Sequence, residues 1–135
     1  MTTERPTGPL RVGILNLLSG NLTDLGGGSV TVTTKAAAAL PHVRLATVFV
    51  DPNASPVGAE GLVQVDVFSG YDGTKEVDHI AGQVFSILSQ QTPTVAGFRV
   101  ILSRIVRDST LPTVTAQGDP AHHCIIEIRY RLNQA

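Results

Sequence analysis

Between Gly61 and Gln91 the chain changes its hydrophobic period once. Val63, Val65 and Val67 alternate with Gln64 and Asp66, the two-residue repeat of a half-buried strand. The run Ser69-Gly70-Tyr71-Asp72-Gly73 ends that strand, since its glycines accept positive φ at little cost. Then Val77, Ile80, Ala81, Val84, Phe85 and Leu88 fall at helical spacing and form one apolar stripe, expected to face the three valines. Asp72 or Thr74 can cap this helix, and Glu76 and Asp78 suit the positive end of its dipole.

The flanking patterns add five elements. Leu10, Ile14, Leu17, Leu18, Leu22 and Leu25 predict an N-terminal helix, weakened by Gly13 and Gly20, that stops near Ser19. Gly26-Gly27-Gly28 breaks the chain, and Ser29–Thr34 and Val43–Val50 read as strands. Pro41 ends the alanine-containing connector between them. Asp51 to Gly61, with Pro52 and Pro56, reads as an exposed loop, longer than the about two to five residues of a tight hairpin. After Thr92-Pro93-Thr94 closes the central helix, Gly97–Arg107 reads as a strand and Asp108–Asp119 as a connection, part of which could form the far end of a long hairpin. His122–Leu132 is the last strand, with Cys124, Ile126, Ile128, Tyr130 and Leu132 on one face. The order α-β-β-β-α-β-β predicts an α+β domain: a mostly antiparallel sheet with one long amphipathic helix and an N-terminal helix packed on it.

Composition narrows the class. At 135 residues, 42% hydrophobic and 16% charged, the chain suits one globular domain over 10–135, preceded by a flexible arm over 1–9. A formal net charge of -1 supplies no global field to hold nucleic acid. One cysteine, Cys124, permits no internal disulfide. No apolar run reaches the ~20 residues that span a bilayer, and MTTERPTGP lacks a secretory pattern, so a soluble protein without membrane contact is expected.

Candidate chemistry is thin. Asp119, His122, His123, Cys124 and Glu127 form the one concentration of reactive groups. On a strand His123 and Glu127 share one face and His122 and Cys124 the other, and their spacing matches no zinc module, so no metal or other cofactor is expected. Without a GxSxG or a glycine-rich turn before a helix, neither nucleophilic catalysis nor phosphate binding is indicated, and the expectation is a protein that is not an enzyme. Arg99, Arg104, Arg107, Arg129 and Arg131 lie on two strands expected to pair. They are read as a solvated face with partners such as Glu127, or as partners for acids on a neighbouring copy. A DNA-backbone patch is the weaker option, with aromatics at only 4% and no tryptophan.

The string VQVDVFSGYDGTKEVDHIAGQVFSIL, with LPHVRLATV before it and DPAHHCIIEIRYRL after it, resembles the tail terminator (tail completion) proteins of long-tailed bacteriophages. The resemblance runs from Val30 to Leu132. It implies a structural virion protein, made in the host cytoplasm, that forms a ring, usually a hexamer, on the head-proximal end of the tail tube. Such a ring stops tube polymerisation and presents a head-joining surface. The implied partners are copies of itself, the tail tube protein and a head-tail connector or stopper protein, with DNA only passing through the lumen. The contacts expected are Asp51, Asn53, Val57 and Glu60 in the long loop and the five arginines. Alternatives are a connector or a tail tube protein of the same virion, or a small metal- or ligand-binding α+β domain. A tube protein should carry a long hairpin; short strands, as read here, fit a cap.

Overall fold

The valine alternation forms a strand that lies between the strand directly before it in sequence and the last strand of the chain. The computed structural model describes residues 6–22, 30–31, 41–55, 58–70, 74–115 and 117–134. The elements are α1 (Thr7–Asn21), β1 (Val30–Thr31), β2 (His42–Ser55), β3 (Gly58–Ser69), α2 (Lys75–Gln90), β4 (Phe98–Val114) and β5 (Pro120–Gln134). Their order is the expected one. The triple glycine, the alanine run and Val57 lie outside the described residues.

One five-stranded sheet has the order β1-β2-β3-β5-β4. β1 runs parallel to β2, and every other neighbouring pair is antiparallel. The hairpin β2–β3 is adjacent in sequence, whereas the chain crosses from β3 through α2 to the outermost strand β4 and returns in the β4–β5 hairpin, which sets β5 beside β3. Both helices pack on one face. Leu10, Ile14 and Leu18 of α1, and Val77, Ile80, Val84 and Leu88 of α2, join Val43, Val63, Val65, Val67 and the expected β5 residues in a single core. Burial of such side chains stabilises by about 1.5–3 kcal/mol each.

The helices differ from expectation in detail. α1 begins at Thr7 and runs unbroken to Asn21, past Ser19. Gly13 has a packing reason: a Cβ there would lie 2.5 Å from the Thr94 carbonyl oxygen, so the glycine lets α1 approach the segment after α2. In α2 the stripe is rotated. Ile87 is buried, and Phe85, expected in the core, is 39% exposed. α1 lies on the Ile87 side, where Gln91 Nε2 donates to Asn21 Oδ1 at 3.3 Å. The opposite, Phe85 side meets only an open groove of about 590 Å³ toward Asp108 and Thr110. Thr74 sits at the α2 N-cap without a side-chain cap bond, while Glu76 and Asp78 occupy the first turn as expected.

Two expected connections are strand. Asp51–Ser55 and Gly58–Gly61 are not loop: Asp51 pairs with Glu60 and, past an irregularity in the register, Ser55 with Gly58. Pro52 misleads here because it falls in the irregular stretch between the Asp51 and Ser55 pairs, where the ladder is already interrupted. Asp108–Asp119 is likewise mostly β4, paired with β5 as far as Val114 and Pro120. The turn is confined to Thr115–Asp119: Thr115 N–H donates to the Asp119 carbonyl at 2.8 Å and Gly118 N–H to the Thr115 carbonyl at 2.9 Å. Gly118 adopts φ 86°, which a glycine accommodates. β4 and β5 therefore form a long hairpin of 17 and 15 residues, and the expectation of short strands is overturned.

Candidate functional site

The helices cover one face of the sheet; on the other, side chains from four strands stand in cross-strand rows. His42, Phe68 and His123 occupy directly paired positions on β2, β3 and β5. Their rings stack, with centroids 6.2 Å apart for His42–Phe68 and 4.4 Å for Phe68–His123, and the Arg44 guanidinium lies 5.1 Å from the Phe68 centroid. Next comes Asp66, fully buried although this face carries no helix. Arg44 Nη2 donates to its Oδ2 at 2.5 Å and Gln64 Nε2 to its Oδ1 at 3.0 Å. His123 Nε2 is 3.2 Å from Oδ1, at ion-pair distance but off the angle of a hydrogen bond. Burial pushes the Asp66 carboxyl up, but its polar contacts with His123, Arg44 and Gln64 and the charge on His123 outweigh it and hold the pKa at about 2. Burial first, and then the Arg44 charge, lower the pKa of His42. The cluster ties β2, β3 and β5 together through a carboxylate.

Further along, the expected contact residues meet on this same face. Arg107 Nη1 pairs with Glu127 Oε1 at 3.1 Å, and Arg129 Nε with Glu60 Oε1 at 3.0 Å. Arg104 stands opposite Arg129, and Arg131 lies between Glu60 and Leu102 at paired positions, with Asp51 beyond Glu60. Arg99 pairs in register with Asn133. The structure thus gathers Asp51, Glu60 and all five arginines; Asn53 is in β2, and Val57 is outside the described residues. Pairing with Glu127, one of the readings offered by sequence, is observed. The exposed apolar side chains Phe49, Leu102 and Leu111 share this face with them.

The reactive cluster near the C-terminus is divided by the sheet. His123 and Glu127 lie on the helix-free face; His122 and Cys124 lie on the helix face, in register with Ser69 and Val67. Cys124 is fully buried, 3.5 Å from Asp108 Oδ1, and burial pushes its thiol up to about 11, against hydrogen bonding from Thr110. A thiol held protonated is a poor nucleophile and metal ligand. Among the described residues no group of three or more His, Cys, Asp or Glu side chains converges as a metal site would require. Tyr130 is also fully buried, and its hydroxyl finds no hydrogen-bond partner among the described residues.

Sequence reasoning missed the Asp66–Arg44–His123–Phe68 cluster. Its signal was the aspartate inside the valine strand, which needs a buried counter-charge that no neighbour in sequence supplies.

The sheet thus carries helices on one face and a mixed ionic and apolar surface on the other. Residues 14–132 match the tail completion protein gp17 family. The chain belongs to that family, which makes it a structural protein of a phage-type tail. In fold it resembles a chain from a solved structure described as the virion of a native gene transfer agent particle, with a TM-score of 0.77 at 18% identity, over 97% of this chain and 99% of that one. No curated protein matches the sequence. No described helix is long and apolar enough to cross a membrane.

Proposed function

We propose that this protein forms a ring, of six copies, that seats on the head-proximal end of a tail tube. The ring ends tube polymerisation and offers its other surface to a head-tail connector or stopper protein, while DNA only passes through its lumen. It holds no cofactor and catalyses no reaction. The observation that carries the reading, beside family membership, is that among the described residues both outer strands of the sheet keep long unpaired edges. Among the described residues β4 pairs only with β5, and β2 pairs with β1 only at Val43 and Arg44. A long exposed edge invites a further strand. Two different open edges on one chain suit head-to-tail contacts, which close into rings when the rotation allows.

The long β4–β5 hairpin favours a second reading, that of a tail tube protein. Electron microscopy of the purified protein, alone and mixed with tube protein, separates the two. Rings that halt tube growth are expected. Open tubes from the protein alone would establish the second reading, and tube lengths unchanged by its addition would overturn the first.

A further inference from the structure

We infer that the outer edge of β4 in one copy pairs, in the next copy, with the part of the β2 edge that is open among the described residues, so that a single antiparallel sheet runs through neighbouring subunits. The inference rests on the ring reading and names its contact surface. Strand direction is the first argument. β2, β3, β5 and β4 alternate in direction across the sheet, so β2 of a second copy, set beside β4 with the same face outward, continues the antiparallel pattern. β1 occupies the β2 edge only at Val43 and Arg44, which leaves Leu45–Ser55 open among the described residues. On β4, Pro112 lacks an N–H and blunts the far end of the edge, and the ladder is irregular between Val100 and Leu102 and between Ile105 and Arg107, so the contact centres on the regular run Leu102–Ile105.

Side chains on the helix-free face supply the second argument. Phe49, 61% exposed, and Leu102, 60% exposed, stand at opposite edges of the sheet on that face. Asp51 accompanies Phe49, and Arg104 accompanies Leu102; Arg104 makes no ion pair among the described residues. In the register that continues the existing rows, Arg104 lies beside Phe49 and diagonal to Asp51 of the next copy, and Leu102 lies beside Asp51 and diagonal to Phe49. Diagonal neighbours are within reach of long side chains. A cavity of about 190 Å³ lined by Phe49, Asp51, Glu60, Gly61, Leu62 and Arg129 opens at the β2 side, where an incoming Leu102 can seat. Backbone groups, an apolar pair and a charge pair are complementary across the same two edges, and the occupant they describe is a second copy of this chain.

The test is a charge swap read by sedimentation and light scattering. Arg104→Glu alone and Asp51→Arg alone each place like charges across the contact, and each is expected to weaken assembly about tenfold or more. An equimolar mixture of the two variants restores opposite charges at every contact, and so does the R104E/D51R double variant; both are expected to recover the ring-sized species. Both residues are exposed, and thermal melting confirms that the variants fold. Cysteines at Phe49 and Arg104 give a second measurement: oxidation is expected to yield a ladder of cross-linked chains ending at the ring. Rings that persist in both single variants, or the absence of a ladder from assembled protein, overturn the inference and leave the ring reading standing. A wild-type protein that stays monomeric alone and with tube protein overturns both.

Discussion

Asp66 keeps a charge where the solvent does not reach it, and acid is the natural probe of that arrangement. Its pKa, about 2 folded against an ordinary 3.8, is depressed, so the stability it contributes is fully present above about pH 4 and is lost as pH falls through 2. The shift corresponds to about 2 kcal/mol. His42 adds a separate limb. Its folded pKa lies below 6.5, so the unfolded chain takes up that proton first and stability falls as pH drops below 6.5. Asp66→Asn is expected to cost about 2–3 kcal/mol at pH 7, less than a wholly buried pair, because Arg44 and His123 retain some solvent. Urea unfolding between pH 7 and 2 checks this: the variant should keep the His42 limb and lose the one below pH 4. An unchanged acid limb would mean that the carboxylate stabilises nothing.

For α2 the rotation of the buried stripe is the element-scale result. Val84 and Leu88 are fully buried, Ile87 faces α1, and Phe85 borders the groove beside Asp108. Leu88→Ala is expected to destabilise by about 2–5 kcal/mol, since it opens a cavity in a close-packed core. Phe85→Ala should cost less, about 1–2 kcal/mol, because Phe85 is already 39% exposed. Denaturant titration of both variants decides which face is inside; a larger loss at Phe85 would rotate the helix back. The strand–turn–helix unit was legible in the sequence because both of its periods are local. Which side of α2 is covered was not, because it depends on where α1 docks.

Across the whole molecule, the exposed apolar residues concentrate on β4, where Ile101, Leu102, Val106, Leu111 and Val114 are all more than 40% exposed. Such a strand is ordinarily covered. If a second copy covers it, folding and assembly are linked, and stability depends on concentration. Raising protein concentration about a hundredfold is therefore expected to raise Tm by several degrees in scanning calorimetry. A Tm constant over that range would mean that copies of this chain do not cover β4.

From the sequence alone came the kind and order of the elements, the buried face of β5 from Cys124 to Leu132, and the split of His122 and Cys124 from His123 and Glu127. Each follows from side-chain period, which a short segment carries within itself. Tertiary structure decided how far the strands run. Asp51–Ser55, Gly58–Gly61 and Asp108–Val114 look like loops locally, with their turn-forming and polar residues, yet each is held extended by a partner strand that supplies the ladder. It also decided the make-up of the helix-free face, where Asp66 meets Arg44 and His123, and where Asp51 and Glu60 meet the arginines of β4 and β5. Those groups are far apart in sequence, and only strand order and register bring them within reach of one another.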